Sequence, residues 1–117
     1  MGNPVVHFEV IGHDAAALQT YYSELFGWEI DHNNSRGYGL VKPTGEGGIA
    51  GGIGGGHIPD YDGHVTFYVQ VADVGEALDR AEELGGTRVF GPAEVVKGLV
   101  LGQFRDPEGH LIGLMRA

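Results

Sequence analysis

The sequence repeats itself, and no other feature constrains the fold as much. Sliding the chain over itself by 59 residues places Val6, Phe8, Val10 and Asp14 on Val65, Phe67, Val69 and Asp73. Glu24, Leu25 and Gly27 fall on Glu83, Leu84 and Gly86, Gly39-Leu40-Val41 on Gly98-Leu99-Val100, and Ile53-Gly54 on Ile112-Gly113. That makes 12 identities in the 52 gap-free pairs starting at Val5, where this composition gives about four by chance. A duplicated sequence implies a duplicated supersecondary unit. One module is expected at about residues 4–56 and the other at about 63–115, within one domain spanning residues 1–117.

Both halves carry the same local signals. Val5–Ile11 alternates, with Val6, Phe8 and Val10 on one face and His7 and Glu9 on the other. Its second copy sets Val65, Phe67, Val69 and Val71 against His64, Thr66, Tyr68 and Gln70. Each strand runs into an aspartate suited to cap a helix, Asp14 and Asp73, and Glu76 completes a capping-box pattern with Asp73. The apolar stripes Leu18, Tyr21, Tyr22, Leu25 and Ala77, Leu78, Ala81, Leu84 mark the helices, and Gly27 and Gly85-Gly86 stop them. Three short strands are expected after each helix, near Trp28–His32, Gly37–Lys42 and Gly48–Gly54, then near Thr87–Val95, Leu99–Arg105 and Leu111–Met115. The Asp106-Pro107-Glu108-Gly109 turn introduces the last of them.

The expected fold is α+β, two tandem βαβββ modules forming a curved eight-stranded mixed sheet around a cavity, with one helix per module. The apolar strand faces pack on the helices, and the opposite, polar faces line the hollow. His7 and Glu9 are the candidate acid–base pair on that lining, since a carboxylate in mid-strand is costly unless paired or solvated. Tyr68 supplies an aromatic wall and Gln70 a hydrogen-bonding group for a planar ligand. Gln103 alternates with Arg105 on the seventh strand, and Arg105 reads as a surface or turn-anchoring residue beside Asp106. His13, His32, His57 and His110 read as loop or turn histidines.

Composition removes several classes. The 117 residues suit a compact domain, and 42% hydrophobic content suffices for a core. The sequence has no cysteine, so no disulfide, thiolate metal site or cysteine nucleophile is available. A formal charge of −9 with seven Lys and Arg argues against nucleic acid. No signal peptide or membrane-length apolar run is visible, so a cytoplasmic protein without membrane partners is expected. The run Gly45–Gly56 (GEGGIAGGIGGG) lacks the Lys-Ser or Lys-Thr of a phosphate loop and reads instead as a strand whose missing side chains leave room. No nucleophile elbow is visible.

Paired βαβββ modules, together with His7 and Asp14, Tyr22, Leu25-Phe26-Gly27-Trp28-Glu29 and Asp106-Pro107-Glu108-Gly109, resemble the vicinal oxygen chelate superfamily. That superfamily includes glyoxalase I, extradiol dioxygenases, fosfomycin-resistance enzymes and bleomycin-binding proteins. Its metal-dependent members take ligands from the first and last strand of each module. By this resemblance the four positions are His7, Gly54, Thr66 and Gly113, of which His7 alone offers a good donor. The same resemblance makes the fourth strand line the site, where Gly52 and Gly54 would widen it. The expected ligand-binding residues are thus Thr66, Tyr68, Gln70, Gly52, Gly54, Gln103 and Gly113. The expectation is a homodimeric, metal-free protein that binds an aromatic or peptide-like metabolite or antibiotic. The alternative is a glyoxalase-like lyase, isomerase or dioxygenase-type enzyme. It would use His7 and Glu9 as acid and base, or a divalent metal held by His7, Glu9 and His64.

Overall fold

A computed structural model describes residues 2–34, 36–56 and 59–117. His57, read above as a loop histidine, lies outside them. The elements are β1 (Val5–Gly12), α1 (Ala15–Phe26), β2 (Ile30–Asp31), β3 (Gly39–Val41), β4 (Ala50–Gly55), β5 (His64–Gln70), α2 (Val74–Glu83), β6 (Thr87–Val96), β7 (Leu99–Arg105) and β8 (Leu111–Arg116). They form an α+β fold of eight strands in mixed parallel and antiparallel pairing with two helices. Two compact units are present: His7–Val65, and Thr66–Ala117 with the start of the chain up to Val6.

The duplication seen in the sequence recurs in the topology. The first half orders its strands β2-β3-β4-β1 and the second β6-β7-β8-β5, the same path offset by four strands. In each, the opening strand pairs in parallel with the closing one, β1 with β4 and β5 with β8, and the remaining pairs are antiparallel. Strand ends differ from expectation by a residue or two, and β2 and β3 shrink most, to Ile30–Asp31 and Gly39–Val41.

Local chemistry sets the helix ends. Asp14 accepts a hydrogen bond from Ala17 N and Asp73 from Glu76 N, so both aspartates satisfy amide donors that the first helical turn leaves open. Gly27 ends α1 in the left-handed conformation (φ 70°), where a Cβ is disfavoured. In the second unit Val74, Leu78 and Leu114 form the core, with Val69, Val71, Ala77, Val100 and Phe104 packed around them. In the first, Phe8, Tyr22, Phe26 and Trp28 form a ring cluster, with Phe8 and Trp28 centroids 5.2 Å apart.

Two packing expectations are corrected. Tyr21 (59% exposed) and Leu25 lie outside the inward face of α1, whose buried residue is Gln19. Its amide nitrogen donates to Gly37 O at 2.9 Å and Ile53 O at 2.8 Å, so satisfying two carbonyls sets the face that α1 presents. Val65 (76% exposed) and Phe67 are not covered by a helix either. Helix α2 packs on β6, β7 and β8, and only Val69 and Val71 of the β5 apolar set reach its core.

Candidate functional site

The register of the first unit builds one polar face. Glu9 lies opposite Gly52 on β4, and Gly52 opposite Leu40 on β3, while His7 pairs with Ala50 and Ile11 with Gly54. Directly paired residues point to the same side of a sheet, so His7, Glu9, Gly52 and Gly54 share a face, as the alternation predicted. The opposite face carries Phe8, Gly51, Val41 and Ile53, with Phe8 running into the aromatic cluster.

On the polar face Glu9 is a hub. Tyr38 donates its hydroxyl proton to Glu9 Oε2 at 2.8 Å, and His64 Nε2 lies 2.7 Å from Glu9 Oε1. His7 Nε2 meets the Tyr38 hydroxyl at 3.1 Å, and Tyr61 hydrogen-bonds the other ring nitrogen of His64. Five side chains, from β1, the approach to β3, the segment before β5 and the first residue of β5, thus form one continuous chain. The side chains of Glu9 and His64 are 12% and 13% exposed, so the pair sits largely out of water. That low-dielectric setting strengthens each hydrogen bond and makes an unpartnered group costly. Burial pushes the His7 pKa below the ordinary 6.5, outweighing the upward pull of the Glu9 charge. His7 is therefore neutral at physiological pH.

The candidate pair His7 and Glu9 is linked through the Tyr38 hydroxyl, and His64 also lies against Glu9. Gly52 and Gly54 do not widen an open cavity. A Cβ on Gly52 would come within 1.8 Å of the Tyr38 hydroxyl oxygen, and one on Gly54 within 2.6 Å of the Tyr38 ring. The glycines are the floor of a slot that the ring occupies.

The second unit solves the same problem differently. Tyr68 is buried over Gly113, where a Cβ would come within 2.4 Å of its ring, and its hydroxyl accepts from Gln103 Nε2 at 3.0 Å. The Thr66 hydroxyl donates to Leu111 O. Gln70 is exposed, and its backbone amide bonds Pro4 O. Arg105 donates to Gly109 O and so anchors the turn, and His110 Nδ1 sits 3.0 Å from Asp106 Oδ2 in that turn. Backbone hydrogen bonds, first that of the His110 amide, hold the Asp106 carboxyl below its ordinary value.

These contacts test the fit to a metal. Gly54 and Gly113, two of the four ligand positions implied by the resemblance, bring no donor and are each roofed by a tyrosine, and Thr66 spends its hydroxyl on a carbonyl. Glu9 has both oxygens engaged. Among the described residues no group of three or more His, Asp or Glu side chains is arranged to hold a cation, so the set His7, Glu9 and His64 does not fit one as it stands. Two cavities of the first unit lie elsewhere. One of about 610 Å³ runs along α1 beside Gln19, Ile30 and Arg36, and one of about 370 Å³ is lined by Phe8, Trp28, Val41 and Ile49.

Tyr38 and Tyr61 were missed from sequence. Neither falls on a regular strand position, and the available signal was the gap left by Gly52 and Gly54, which a remote side chain had to fill.

A repeated βαβββ unit with the closing strand parallel to the opening one defines the class. The model of the Glyoxalase/Bleomycin resistance protein/Dioxygenase superfamily matches residues 5–114, and the chain belongs to that superfamily. Among solved structures, it is similar to a member of that superfamily from Vibrio splendidus 12B01, at 17% identity and TM-score 0.67, covering 99% of this chain and 100% of that one. It is also similar to a methylmalonyl-CoA epimerase in complex with methylmalonyl-CoA and an ammonium ion, at 18% identity and TM-score 0.67, covering 98% and 94% of the two chains. Methylmalonyl-CoA epimerase from Mycobacterium tuberculosis is similar at 14% identity and TM-score 0.63, covering 96% and 86%. At these identities the likeness is one of fold. No curated protein matches the sequence.

Proposed function

We propose that this chain is a metal-independent, small-molecule-binding member of the superfamily, and that it recognises its ligand at the His7–Tyr38–Glu9–His64 face of the first module. The observation that carries this reading is the state of Glu9, both of whose oxygens accept hydrogen bonds from Tyr38 and His64. A carboxylate spent in that way organises a recognition surface and is not offered to a cation. The aromatic rings of Tyr38 and Tyr61 along the chain suit a planar or peptide-like ligand. Ligand-observed NMR with a panel of aromatic and short peptide-like compounds tests the reading. Binding by the native protein that weakens at least about tenfold in Glu9→Gln, a loss of about 1.4 kcal/mol, supports it. Hits indifferent to Glu9→Gln place the ligand elsewhere. The protein is also proposed to be a homodimer, which would cover the exposed Tyr21, Leu25 and Phe26 of α1. Sedimentation of a single-chain mass would refute that.

A second reading has its own observation. Neutral His7 communicates with Glu9 through one hydroxyl, an arrangement suited to general acid–base chemistry on a small oxygenated substrate. A turnover whose rate falls on the acid side with His7 protonation would favour it.

A further inference from the structure

Gln19, 8% exposed, is the buried side chain of α1, and its amide has a fixed sense. Both Nε2 protons go to carbonyls, to Gly37 O at 2.9 Å and Ile53 O at 2.8 Å. Turning the amide over would set oxygen against oxygen at both contacts, so the hydrogen bonds assign nitrogen and oxygen. Gly39 makes the seat, since a Cβ there would come within 2.8 Å of Gln19 Cδ and 2.7 Å of Ile30 Cγ2. Oε1 is left over. Among the described residues it meets no donor, and it is not sealed from solvent. Gln19 lines the cavity of about 610 Å³ along α1, so a largely buried acceptor opens on that space.

The polar atoms beside it accept as well. Ser23 also lines the cavity, one turn further on and about 5–6 Å away on the same helix face. Its hydroxyl proton goes to Trp28 O at 3.0 Å, which leaves the oxygen only lone pairs. The Glu24 carboxylate is the third acceptor, and among the described residues it forms no ion pair or side-chain hydrogen bond. Ala15, Ala16 and Ile30 add apolar lining, while Arg36 lines the cavity too and has interactions of its own. Gly39 and Ile53 pair one step out of phase with Gly52, so this space lies on the sheet face opposite His7 and Glu9.

We infer that the cavity along α1 is a second binding site, one that takes a small organic primary amine in its ammonium form. An ammonium has three donors and no acceptor, which complements a wall of acceptors without donors. Glu24 supplies the opposite charge, and the formal charge of −9 favours a cation over an anion of the same shape. The apolar stem of the amine rests on Ala15, Ala16 and Ile30. This site does not depend on the function proposed for the other face.

The test is a titration of benzylamine hydrochloride into nitrogen-15-labelled native protein near pH 7, with phenylacetate, an anion of similar shape, as control. Benzylamine is expected to give saturable shifts of the Gln19 side-chain amide and of the α1 backbone amides, and phenylacetate none. Glu24→Gln, at an exposed position, weakens binding about two- to fivefold, the range of a solvent-exposed ion pair. Ala16→Phe, also at an exposed position, fills the groove while leaving the three acceptors in place, and abolishes binding. Should Ala16→Phe disturb α1, Glu24→Gln decides alone. The inference is overturned if benzylamine gives no saturable shift, if phenylacetate binds equally well, or if Glu24→Gln leaves the affinity unchanged. Shifts confined to the face of Glu9 overturn it too.

Discussion

At the residue scale the site is governed by what burial does to a single imidazole. The folded His7 takes up its proton at lower pH than the ordinary 6.5 of the unfolded chain. Between those two values the unfolded state binds more protons, so stability is intact above about pH 6.5 and declines as pH falls through the window. Urea denaturation midpoints are therefore expected to drop between about pH 7.5 and pH 5, with a shallower drop in His7→Gln. An equal slope in the two proteins would show that His7 is not the group concerned. His64→Ala removes the donor to Glu9 Oε1 from a site that is mostly dry. It is expected to destabilise by about 1–3 kcal/mol in equilibrium unfolding, the desolvation cost of an under-satisfied acceptor.

At the scale of elements, alternation placed His7 and Glu9 on one strand face and Phe8 on the other, because period 2 is a property of the backbone and needs no knowledge of neighbours. Caps were equally legible, since Asp14, Asp73 and Gly27 act within a turn of their own position. The rest was not legible for a consistent reason. Whether Gly52 means empty space or a filled slot depends on Tyr38, which lies 14 residues away in sequence and reaches it only after β3 and β4 pair. The inward face of α1 likewise depends on two carbonyls that only the folded chain presents to Gln19. Glycine substitutions separate these situations. Gly51→Ala would place a methyl 2.1 Å from the Phe8 ring and is expected to cost about 1–3 kcal/mol by overpacking. Gly56→Ala meets nothing within 4 Å among the described residues and is expected to stay within about 0.5 kcal/mol of the parent. Matching losses at the two positions, measured by denaturant unfolding, would contradict the packing described here.

At the scale of the whole molecule, duplication fixed the architecture, and divergence between the copies fixed the site. The two modules keep one strand path, yet the position that is Glu9 in the first is Tyr68 in the second, and His7 corresponds to Thr66. Each module roofs its closing-strand glycine with a tyrosine, Tyr38 over Gly54 and Tyr68 over Gly113, and draws that tyrosine from a different strand neighbourhood. Reaching the same result by two routes accounts for a superfamily fold whose implied ligand corners hold aromatic rings. The direct test is elemental analysis of untagged protein, followed by calorimetric titration of Ni²⁺, Mn²⁺ and Fe²⁺ into the native chain and His7→Ala. The account predicts no stoichiometric metal and no saturable heat in either protein. One equivalent of metal bound by the native chain and lost in His7→Ala would contradict it.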